Sequence, residues 1–63
     1  MLHMMEVVGT SPKSFAEAVR AAVAEVSRQG KKAHFFQVVE QRGSVREDEV
    51  KEFQVVLKVA VEG

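Results

Sequence analysis

No cysteine occurs among the 63 residues, so no disulfide can staple the fold and no thiolate can act as nucleophile or zinc ligand. The two histidines, His3 and His34, lie far apart and have no cysteine to complete a metal set. Net charge is missing as well, because nine basic residues balance nine acidic ones interspersed along the chain. That excludes the basic footprint on which nucleic-acid binding depends. No apolar run approaches the ~20 residues that a membrane span requires. Met1-Leu-His-Met-Met5 has neither the basic region nor the following apolar core of a signal peptide. A soluble cytoplasmic chain with no nucleic-acid or membrane partner is expected.

Length is also in short supply. A chain of 63 residues is expected to form one domain, 1–63, and at that size only ~60% of the unfolded surface is buried on folding. Small scaffolds need a staple, and with disulfides and metal sets excluded, self-association is the one left.

What the sequence does have is periodicity. Val50-Lys-Glu-Phe-Gln-Val-Val-Leu-Lys-Val-Ala-Val61 alternates: Phe53, Val55, Leu57, Val59 and Val61 make an unbroken apolar face. Glu52, Gln54, Val56, Lys58 and Ala60 make a mixed one. Period two marks a strand with one buried face, and isolated polar residues among small apolar ones suggest that the mixed face meets a ligand or another subunit. An earlier, shorter strand is read at Leu2 to Val8, closed by turn chemistry at Gly9-Thr-Ser-Pro12. Ser14 and Glu17 have the spacing of a capping box, with Ser11-Pro12 as an alternative helix start. Phe15, Ala18, Val19, Ala22, Val23 and Val26 then form one helical stripe, and Gly30 stands where a left-handed C-terminal cap belongs.

Ala33 to Arg42 reads as the second strand, with Phe35, Gln37, Val39 and Gln41 on one parity and His34, Phe36, Val38, Glu40 and Arg42 on the other. Both parities hold apolar residues, so both faces are expected to be partly buried. Gly43 to Glu49 is read as a charged hairpin connection. The fold class is therefore α+β, in the order β-α-β-β, with a three-stranded antiparallel sheet wrapped on one helix. One helix covers one face of such a sheet. Phe35, Val39 and Val56 are left on the other, a patch that monomers rarely tolerate, so a symmetric homo-oligomer is expected.

Taken together, Val7-Val-Gly-Thr-Ser11 running into the capped helix, Phe35-Phe-Gln-Val-Val-Glu-Gln-Arg-Gly43 and Val50-Lys-Glu-Phe-Gln-Val-Val-Leu-Lys-Val59 resemble the dodecins, in order and spacing, over nearly the whole chain. The resemblance implies a hollow homododecamer with helices outside, holding flavins (FMN or riboflavin) between subunits for storage without turnover. In that family a tryptophan of the second strand stacks on the isoalloxazine and a glutamine of the third reads its pyrimidine edge. Phe35 stands in the tryptophan's place and Gln54 in the glutamine's. Phenylalanine offers a flat apolar face but lacks the larger electron-rich indole, and the tail ends at Glu62-Gly63 where flavin-phosphate binders of the family tend to be basic.

Each candidate also has a plainer reading. Phe35 can bury its ring in a subunit interface, and Gln54 can be solvated, although its amide offers the donor and acceptor together that a flavin edge needs. Arg42 can hold a phosphate or pair with Glu40. Glu47, Asp48 and Glu49 read as a solvated acidic tip, with a weak cation site as the alternative. No nucleophile, base and orienting residue come together in the sequence, so no enzymatic activity is expected. The alternative function is a structural dodecin-like oligomer that has lost flavin or takes another small ligand or a metal ion.

Overall fold

The computed structural model describes residues 1–62, so the final residue of the Glu62-Gly63 tail lies outside the described residues. Strand β1 (Leu2–Ser11), helix α1 (Phe15–Arg28), strand β2 (Lys32–Arg46) and strand β3 (Glu49–Glu62) follow one another in the expected order. The sheet order is β1-β3-β2, and both outer strands run antiparallel to β3. β1 and β2 are therefore parallel to each other, and α1 carries the chain over β3 from one edge to the other. The alternating segment takes the centre because it alone has a continuous apolar face to bury. Val55, Leu57, Val59 and Val61 pack with Ala18, Ala22 and Val26 of α1, and Met5, Val7, Phe15, Val19, Val23 and Ala33 close around them. Phe15 meets Phe53 edge to face, with ring centroids 5.0 Å apart.

β1 does not stop at Val8. It runs on through Gly9, Thr10 and Ser11, which pair with Val55, Gln54 and Phe53. Gly9 thus serves close packing, not a turn: a Cβ there would lie 2.2 Å from the Ala18 carbonyl oxygen and 2.8 Å from the Ala22 Cβ. Ser11 Oγ accepts from the Lys13 N–H (3.0 Å) in the short turn, and Ser14 Oγ accepts from the Glu17 N–H (3.1 Å) as the helix cap. The helix start thus falls at Ser14, and the Ser11-Pro12 alternative is not used. The Glu17 carboxylate pairs with Arg20 at 3.1 Å. At the other end Gly30, at φ +82°, donates to Ser27 O while Lys31 donates to Val26 O, closing the helix with a Schellman motif.

β2 departs most from the alternation read in the sequence. It is longer, reaching Arg46, so the Gly43–Glu49 connection shrinks to a two-residue turn at Glu47 and Asp48, with φ of 55° and 66°. Two successive left-handed residues match the twist of a hairpin, and here they are supplied without glycine or asparagine. The pairing register shifts between Ala33 and Phe35, between Val38 and Glu40, and between Ser44 and Val45. The middle shift leaves Val39 out of the ladder and reverses the parity beyond it. Burial also differs from expectation, because α1 lies over β1 and β3 and reaches only the start of β2: Ala33 is half-buried and the rest of the strand is exposed.

Two substitutions probe these points. Gly9→Ala forces the helix off the sheet and is expected to cost about 1–3 kcal/mol, read as a lower chemical-denaturation midpoint. Asp48→Gly relieves a left-handed residue and is expected to add about 0.5–1 kcal/mol by the same measurement.

Candidate functional site

Among the described residues, nothing covers the face of the sheet turned away from α1. Across it the register sets four rows: Met4, Ala60 and Phe35; Glu6, Lys58 and Gln37; Val8, Val56 and Glu40; Thr10, Gln54 and Arg42. Val8 and Phe35 are 60% and 57% exposed, whereas Ala60 is fully buried in its row and Val56 half-buried. The uncovered apolar surface is therefore broader than Phe35, Val39 and Val56, since Leu2, Met4 and Val8 of β1 join it.

Polar order is concentrated in the last of those rows. Arg42 Nε donates to Gln54 Oε1 at 2.8 Å, and Gln54 Nε2 donates to Glu52 Oε1 at 2.8 Å. The Arg42 guanidinium also faces Glu40 at 3.9 Å, the ion pair expected as the plainer reading, with both side chains more than half exposed. Exposed pairs of this kind are worth ~0–1 kcal/mol. Arginine can only donate and a carboxylate only accept, so the Gln54 amide is fixed in one orientation, with one N–H and one carbonyl lone pair still free.

The parity reversal at Val39 puts Phe35 on the same face as Arg42 and Gln54, although strict alternation along β2 separates them. It does not bring them together. Phe35 pairs with Ala60 and Arg42 with Gln54, and six residues of strand separate those rows, about 20 Å at ~3.3 Å per residue. A tricyclic ring cannot lie on Phe35 and on Gln54 of the same chain.

Glu52 escapes sequence reasoning as a partner of Gln54, although a carboxylate two residues away on the same face is the available signal. So does the pairing of His34 Nε2 with Glu62 Oε1 at 2.8 Å, which joins residues 28 apart in the chain. Beside His34, a shallow pocket of about 150 Å³ is lined by Val23, Ala33, Phe35, Phe36 and Val59. Neither Gln54 nor Arg42 reaches it. Glu47 and Asp48 form the hairpin turn, and among the described residues no three His, Asp or Glu side chains gather where they could hold a metal ion. No described helix is long and apolar enough to cross a membrane.

The chain as a whole is similar to known proteins. A curated dodecin of Thermus thermophilus is 42% identical over 55 residues, which cover 87% of this chain and 80% of that protein. The solved dodecin of Streptomyces davaonensis superposes with a TM-score of 0.92 at 30% identity, over 97% of this chain and 90% of that one. Streptomyces coelicolor dodecin gives 0.91 at 38% identity, over 97% and 87%. A tryptophan-to-phenylalanine variant of the Thermus thermophilus protein gives 0.90 at 39% identity, over 97% and 91%. With the dodecin family model matching residues 1–62, the chain belongs to the dodecin family.

Proposed function

We propose that residues 1–63 act as one dodecin-like domain that assembles into a cytoplasmic homododecamer and sequesters FMN or riboflavin between subunits, without turnover. The observation that carries this reading is the Gln54 amide, held on an uncovered sheet face with one donor and one acceptor free. An N–H flanked by carbonyl oxygens, as on the flavin pyrimidine edge, is the complement of that pair. Phe35 offers its exposed ring for stacking. Because it lies about 20 Å from the Gln54 of its own chain, the ring site is built from two chains, the stacking residue from one and the reading residue from another. The uncovered apolar residues of β1 and β2 supply the surface for that association.

FMN or riboflavin fits the residues present: Phe35 of one chain and Gln54 of another for the ring, and Arg42 beside that Gln54. Bound flavin would supply a planar, redox-active ring, and the chain's part is to stack, orient and shield it. The second reading, an oligomer that has lost flavin or takes another ligand or a metal ion, is favoured by phenylalanine in place of the indole.

Absorbance at visible wavelengths and fluorescence titration separate the two. Saturable quenching of added riboflavin supports storage, whereas unchanged emission in an intact particle supports the second reading. Phe35→Ala is expected to weaken riboflavin by roughly 1–3 kcal/mol, the range for a planar heterocycle stacked on an aromatic side chain, and Phe35→Trp to tighten it and deepen quenching. By light scattering the particle is expected at twelve times the 7.0 kDa chain. Val8→Lys, a charge placed on the uncovered face, is expected to dissociate it.

A further inference from the structure

We infer that Arg42 and Glu52 are positioning residues that set which way the Gln54 amide faces its ligand, a role that rests on the flavin reading above. An unrestrained glutamine amide can turn over and exchange its donor and acceptor, and so reads an N–H no better than a carbonyl. Here both ends are committed. Arg42 Nε, which has no acceptor capacity, occupies one lone pair of Gln54 Oε1 at 2.8 Å, and the Glu52 carboxylate, which has no proton to give, takes one Nε2 hydrogen at 2.8 Å. Turning the amide over would set Nε2 against a guanidinium and Oε1 against a carboxylate, breaking two charge-assisted hydrogen bonds at once.

The clamp spans two strands. Arg42 sits opposite Gln54 by register, and that register exists only because β2 shifts between Val38 and Glu40. Glu52 projects from the same face of β3 two residues before Gln54. The remaining N–H and lone pair of Gln54 are thereby presented in a fixed order, which selects a cyclic imide edge, in which an N–H adjoins a carbonyl, over the same ring with that nitrogen blocked. Arg42 then acts on ring recognition through Gln54, since its Nε is already engaged there, and phosphate contact is not its main contribution.

The test compares riboflavin, FMN, lumiflavin and N3-methyl-lumiflavin on the assembled protein by fluorescence titration, with the Gln54 side-chain amide followed by NMR in the ligand-free state. Wild type is expected to prefer lumiflavin over its N3-methyl form by about tenfold, the scale of one or two hydrogen bonds to a fixed partner. Glu52→Ala is expected to collapse that preference and to average the Gln54 amide protons, and Glu52→Gln, which keeps a carbonyl acceptor, to recover most of it. Arg42→Ala is expected to weaken riboflavin and FMN by the same factor. A loss confined to FMN assigns Arg42 to the phosphate and overturns the clamp, as does a Glu52→Ala protein with unchanged preference or a wild-type Gln54 amide that already turns freely. Wild-type protein that takes up neither flavin, with its Gln54 amide fixed, overturns the flavin reading and leaves the clamp standing.

Discussion

One helix of 14 residues covers one face of a three-stranded sheet, and nearly everything else about this chain follows from that shortage of cover. The contact between α1 and β3 supplies the fully buried centre of the core: small residues on the helix, Ala18 and Ala22, let it settle against Gly9 of β1 and the valines of β3. Such close approach gives a dense interior from few atoms. It also fixes α1 over β1 and β3, so β2 beyond Ala33 extends out of its reach and contributes almost nothing to the core of the isolated chain. A strand that long and that exposed holds its shape through pairing with β3 alone, and its side chains remain available for other contacts.

The elements that bury a regular face are legible in the sequence. Phe53 to Val61 declares both its strand and its inward parity, and Phe15 to Val26 declares its helix, because in each case a single period is enforced by a single buried surface. β2 is not legible in the same way. Two of its three register shifts fall at His34 and Val39, residues with no turn chemistry, and the hairpin uses Glu47 and Asp48 where the usual signal is Asn-Gly. With neither face of β2 buried in the chain, no hydrophobic alternation remains to report the slips.

The candidate site is uneven in the same way. Gln54 stands out in the sequence as a lone amide on a half-apolar face, a property of the residue and its immediate neighbours. That Arg42 holds it depends on a pairing across 12 residues of chain, and that Phe35 shares its face depends on the parity reversal at Val39; only Glu52, two residues away on the same strand, is a local partner. Side-chain chemistry can be read one residue at a time, whereas partnership across strands is decided by register. The polar row is exposed enough that its ion pairs add little to stability. Its value is directional, because groups that only donate and groups that only accept leave an amide between them no freedom of orientation.

The distance of about 20 Å between Phe35 and Gln54 along one sheet has a thermodynamic corollary. A molecule that touches both residues must bridge two chains, so ligand and subunit concentrations enter the same equilibrium, and neither affinity nor assembly has a value independent of the other. Dilution of the protein would loosen the ligand, and excess ligand would hold together a particle otherwise too dilute to persist. Under the storage reading proposed above, this coupling would be a form of control. Capacity would rise with the abundance of the protein more steeply than in simple proportion, and a filled particle would resist dissociation more than an empty one.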